Sequence, residues 1–83
     1  MAINLEHTDT FAGEANYSWV RRAHVPADGL SDRALVRRAK AWAGLTGRRC
    51  RVERHGDTIA IYPRGMATVL FIAYSETPTG PAI

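Results

Sequence analysis

Polar and apolar residues alternate over residues 3–8. Ile3, Leu5 and His7 face one way and Asn4, Glu6 and Thr8 the other, as in a half-buried strand. A second alternation predicts a strand over residues 17–25, with Tyr17, Trp19, Arg21, Ala23 and Val25 on one face and Ser18, Val20, Arg22 and His24 on the other. Residues 9–16, which include Gly13, read as a loop, and Pro26-Ala27-Asp28-Gly29 reads as a turn. The period then becomes helical. Ser31 is suited to cap the first turn, Asp32 to meet the positive end of the helix dipole, and Leu30 and Leu35 to staple the entry. The spacing predicts a helix over residues 32–43, with Leu35, Val36, Ala39, Trp42 and Ala43 on its apolar face. Arg33, Arg37 and Lys40 lie opposite, Arg38 is at the border, and Gly44 or Gly47 ends the helix.

Beyond the helix, residues 50–54 and 58–62 alternate around His55-Gly56-Asp57, which predicts a hairpin. Cys50 and Val52 are expected to pair with Ile59 and Ile61 beneath the helix. Pro63-Arg64-Gly65 is a further turn, and residues 69–74, apolar on both faces, predict an interior strand. The expected architecture is α+β: an antiparallel sheet in the order ββαβββ, covered on one face by a single helix. Residues 1–74 form one domain, and residues 75–83, with Pro78, Gly80 and Pro81, form a flexible tail.

Charge adds what periodicity cannot. Ten of the eleven basic residues fall within residues 21–54, opposed there by Asp28, Asp32 and Glu53, a net +7 in a chain whose total is +3. A field of this kind acts on phosphates or on acidic protein surfaces. A solvated helix face accounts for Arg33, Arg37 and Lys40 taken alone. Their company of Arg21, Arg22, Arg48, Arg49 and Arg51 suggests a partner-binding surface instead, because solvated faces mix both signs. Trp42 falls in the apolar arc and reads as core. Trp19 either packs under the 9–16 loop or stands as an exposed aromatic anchor beside Arg21, the kind of residue that dominates interfaces or stacks on unpaired bases.

Other chemistry is not expected. Cys50 is the only cysteine, is predicted to lie under the helix, and reads as a structural thiol rather than a nucleophile. His7, His24 and His55 are widely separated and Cys50 has no Cys-x-x-Cys partner, so neither a metal nor another cofactor is implied. Gly44-Leu45-Thr46-Gly47-Arg48 follows a helix rather than preceding one, the wrong polarity for a phosphate loop. No enzymatic activity and no small-molecule substrate are expected. The longest apolar run, residues 66–74, is too short for a membrane span. The lone cysteine, with an opening Met-Ala-Ile-Asn-Leu-Glu unlike a signal peptide, points to the cytoplasm.

Asp9-Thr10-Phe11-Ala12-Gly13-Glu14-Ala15-Asn16-Tyr17-Ser18-Trp19-Val20-Arg21-Arg22 carries a resemblance. So do Ser31-Asp32-Arg33-Ala34-Leu35-Val36-Arg37, Gly47-Arg48-Arg49-Cys50-Arg51-Val52, Gly56-Asp57 and Tyr62-Pro63-Arg64-Gly65. Together, over residues 3–72, they resemble a family of small proteins encoded by phages and prophages. By size and origin such a protein is similar in kind to the anti-CRISPR proteins. That resemblance implies a stoichiometric inhibitor in the host cytoplasm. Its partner would be a host protein or ribonucleoprotein complex with an acidic surface, such as a type I CRISPR effector, kept by the inhibitor from engaging DNA. A direct nucleic-acid-binding accessory protein of a phage is the alternative. The resemblance assigns no residue a role.

Overall fold

The computed structural model describes residues 2–26 and 29–83, so Ala27 and Asp28 of the expected turn lie outside the described residues. The chain runs β1 (Ala2–Phe11), β2 (Glu14–Val25), α1 (Asp32–Trp42), β3 (Cys50–His55), β4 (Thr58–Pro63) and β5 (Thr68–Ser75). The five strands form one antiparallel sheet in the order β2-β1-β5-β4-β3. This is the expected α+β fold, with β5 in the centre, where both faces of its Val69, Leu70 and Ile72 are buried.

One face of the sheet carries Ile3, Leu5, Val25, Ile59, Ile61, Leu70 and Ile72, which close over Leu35 and Ala39 of α1. The helix begins as its sequence dictates: the Ser31 hydroxyl accepts from the Ala34 amide at 3.2 Å. It ends in a Schellman motif. Gly44 takes φ 75, its amide reaches the Ala41 carbonyl, and the Leu45 amide reaches the Lys40 carbonyl at 2.7 Å. Leu45 then turns into the core, where it is 2% exposed. Trp42 does not reach the centre of the core as expected. It is half-buried at the edge of the core, with the His7 ring of β1 6.4 Å away and the Arg21 guanidinium of β2 over its ring.

Four expectations are corrected. Residues 9–16 are not a loop: both strands run on to a two-residue turn at Ala12 (φ 54) and Gly13 (φ 82). The second strand does not alternate evenly. Pairing jumps from Thr8↔Val20 to Thr10↔Ala15, so a wide bulge spanning Asn16 to Trp19 opposes Asp9 alone. Tyr17, at φ 57, is turned to the outer sheet face, where its hydroxyl donates to Glu6 at 2.6 Å, while Trp19 stays on the helix side. In the β3–β4 hairpin Val52 does pair with Ile61, but Cys50 pairs with Pro63 and Ile59 with Arg54. Because β3 is an edge strand, Val52 is half exposed and Cys50 only half-buried. The residues expected as a flexible tail lie along β2. His24 N donates to Pro81 O, Ile83 N to His24 O and Arg38 Nη2 to Ile83 O, and Asn4 bonds to both Thr77 and Thr79.

Candidate binding surface

Antiparallel topology gathers three connections at one end of the sheet: the β1–β2 turn, the α1–β3 loop and the β4–β5 turn. Residues from the last two interlock. The Arg64 amide donates to the Arg49 carbonyl at 2.9 Å, Arg48 Nη1 donates to the Arg64 carbonyl at 3.2 Å, and Lys40 Nζ donates to the Arg48 carbonyl at 2.7 Å. Around these bonds lies an open cleft lined by Gly44, Thr46, Gly47, Arg48, Arg49 and Arg64. It shares Thr46 and Gly47 with a depression beneath Arg33, Arg37 and Lys40 of α1, and shares Arg49 and Arg64 with a groove that continues past Cys50 to Arg51 and Tyr62. The three concavities form a basic track around the end of the molecule, with no carboxylate in their linings.

Charge pairing separates the track from the rest of the surface. Arg22 pairs with Glu6, Arg51 with Glu53 and Arg54 with Asp32. Among the described residues, Arg33, Arg37, Lys40, Arg48, Arg49 and Arg64 have no carboxylate partner. Neighbouring like charges left uncompensated raise the local potential that an anionic group would meet.

The structure therefore divides the predicted binding residues. Arg33, Arg37, Lys40, Arg48 and Arg49 come together, and Arg51 joins at the far end of the track, where it also lies over the Tyr62 ring at 4.5 Å. Arg22 does not join them: it projects from β2, at the far edge of the sheet from β3, and is held by Glu6 at 3.0 Å. Arg64, which stands outside the basic stretch in the sequence, belongs to the track because β4 returns it beside Arg49. Sequence offered only the turn Pro63-Arg64-Gly65, and counting charge along the chain cannot show which turns meet.

Trp19 and Arg21 form a separate cluster near the C-terminal end of α1. The His7 ring meets Trp19 edge to face at 4.9 Å, and the Arg21 guanidinium lies over Trp42 at 4.9 Å. Trp19 remains 40% exposed and lies on the helix side of the sheet rather than on its open face. The bulge that aims it is held by Asp9. One carboxylate oxygen accepts from the Ser18 amide at 2.9 Å, and the other accepts from the Ser18 hydroxyl and from Asn16 Nδ2. The Ser18 hydroxyl and the Asn16 amide, with smaller help from the Ser18 amide and Thr8, hold the Asp9 carboxyl well below the usual carboxylate range. Beneath Trp19, burial and then the charge of Arg21 push the His7 pKa down.

Among the described residues no group of three or more His, Cys, Asp and Glu side chains converges, and no helix is long and apolar enough to cross a membrane. The chain matches no protein-family model, no curated protein and no solved structure.

Proposed function

We propose that this is a phage-type inhibitor. It binds a host nucleic-acid-handling defence complex, of the type I CRISPR effector kind, one to one and blocks that complex from engaging DNA. The observation that carries the reading is the track of six cations, Arg33, Arg37, Lys40, Arg48, Arg49 and Arg64, without a carboxylate partner among the described residues. Such a surface suits an acidic protein face, with which it would pair across an interface. The half-exposed Trp19 next to Arg21 supplies the residue types that anchor interfaces. The nature of the inhibited complex comes from the resemblance, not from the geometry.

The test is inhibition of a purified, nuclease-treated effector complex against protein dose. The expected curve bends to a plateau near one inhibitor per complex, with no product formed from target or inhibitor. Inhibition at far sub-stoichiometric dose would point to catalysis instead. Tight binding to naked duplex DNA without the complex would transfer the track to phosphates and make the protein a direct nucleic-acid binder.

A further inference from the structure

An antiparallel sheet covered by a helix on one face ordinarily shows polar residues on the other. This one does not. Phe71 on the central strand β5 lies on the uncovered face, between its cross-strand neighbours Glu6 of β1 and Ala60 of β4. Tyr62, two residues beyond Ala60, lies on the same face opposite Arg51 of β3. Phe71 and Tyr62 are thus diagonal neighbours, with a separation of roughly 7–8 Å for such pairs. Tyr17, rotated outward by the bulge and 50% exposed, shares with the half-buried Phe71 a depression also lined by Asn4, Glu6, Ala73 and Thr79.

The polar groups of this face are arranged around the rings. Its two acids are neutralised in place: Glu6 takes Arg22 and the Tyr17 hydroxyl, and Glu53 takes Arg51 and His55. The Arg51 guanidinium lies over the Tyr62 ring, 4.5 Å from its centroid, a cation–π contact, with its side chain 67% exposed. Arg49 and Arg64, both without a carboxylate partner among the described residues, stand at the rim of the same groove. Apolar rings in the middle, planar guanidinium beside them and net positive charge at one rim make the chemistry of a stacking platform. An unpaired strand uses rings and cations at once, because each of its units carries a π-face and an anion.

We propose that the open sheet face binds single-stranded nucleic acid. One base stacks on Phe71 and the next on the Tyr62–Arg51 pair, and the phosphates run toward Arg49 and Arg64. Duplex is disfavoured there because its bases are already stacked on one another. This site is distinct from the helix-side anchor at Trp19. A molecule acting on a nucleic-acid-handling complex would meet unpaired strands there.

The experiment is fluorescence anisotropy with end-labelled oligo(dT) and oligo(U) of about ten nucleotides, within the range one small sheet platform covers, at low and moderate salt. The wild-type chain is expected to bind both, to bind a duplex of matched length more weakly, and to lose affinity as salt rises. Phe71→Leu and Tyr62→Leu keep an apolar side chain and remove the ring; each is expected to weaken binding about tenfold with the melting temperature retained. Titration of the wild-type protein, followed through the Phe71 and Tyr62 ring resonances, gives the same answer without any variant. No binding at low salt, unchanged ring resonances, wild-type affinity in both leucine variants or tighter binding to duplex each overturns the proposal. The first three results leave the inhibitor reading standing, because it is tested on the effector complex; tighter binding to duplex would count against both readings, since Arg49 and Arg64 belong to both surfaces.

Discussion

Both ring nitrogens of His7 are buried without a hydrogen-bond partner, although the side chain sits beside two tryptophans and an arginine. A neutral imidazole tolerates that environment and an imidazolium does not, which is why burial and Arg21 depress its pKa. The consequence for stability has a definite sign. The unfolded chain takes up a proton near the ordinary histidine value while the folded chain resists it. The protein is therefore most stable above that value and loses stability as pH falls below it, until the lowered folded pKa is reached. Melting temperature is expected to drop between about pH 7 and pH 5, and His7→Phe, which preserves the aromatic cluster, is expected to remove that slope. An unchanged slope in the variant would show that other groups cause it. Cys50 is a quieter case. Its Sγ lies 3.4 Å from the Arg48 carbonyl in a half-buried position at the edge of the basic groove. A serine hydroxyl can donate to the same oxygen, so Cys50→Ser is expected to leave partner binding unchanged when assayed on folded protein.

At the scale of elements, α1 draws its stability from its two ends as much as from its apolar face. Ser31→Ala removes the acceptor for the Ala34 amide and is expected to cost about 1 kcal/mol in chemical denaturation. Leu45→Ala empties a buried site immediately beyond the Schellman turn and is expected to cost about 2–5 kcal/mol. The Ser31 cap was legible in the sequence, whereas the burial of Leu45 was not read there. A cap, an apolar face and a glycine at C′ act within a few residues of one another, so local reading finds the helix. The same holds for β5, whose unbroken apolar run fits a position between two neighbours. What local reading missed depends on distant partners. The bulge at Tyr17 exists because Asp9 gathers Asn16 and Ser18 from the opposite strand, and alternation carries no trace of that bond. The docking of residues 75–83 was equally hidden behind their Pro and Gly content. A Cβ on Gly80 would come within 2.2 Å of the Arg22 carbonyl oxygen, so close packing rather than looseness requires glycine there. Gly80→Ala is expected to detach this segment, seen as faster amide exchange at His24 and Ile83 with the remaining sheet protected.

Across the whole molecule, charge is organised by topology more than by sequence order. The stretch with net +7 is split by the fold: Arg22 leaves on the open sheet face, Arg54 is tied to Asp32, and Arg38 reaches the Ile83 carbonyl. What remains is the track at one end, completed by Arg64 from elsewhere in the chain. The candidate site was therefore legible as an inventory of cations but not as a surface, since strand order decides which turns become neighbours. This division has a kinetic consequence for the proposed inhibitor. Exposed cations at the rim of an interface contribute only about 0–1 kcal/mol each, but together they steer encounter. Reversing Arg33, Arg37 and Lys40 together is expected to slow association on the effector complex by about tenfold or more at low salt, to leave dissociation little altered, and to flatten the salt dependence. Trp19→Ala is expected to act oppositely, raising the dissociation rate by roughly thirtyfold, equivalent to about 2 kcal/mol, with association nearly unchanged. Arg64→Glu separates the fold from the sequence. A track assembled by topology requires it to slow association as much as Arg49→Glu does, whereas a surface confined to residues 21–54 requires no effect. Surface-plasmon measurements of the variants on one immobilised complex decide between these. An Arg64→Glu protein that associates at the wild-type rate would exclude the β4–β5 turn from the binding surface.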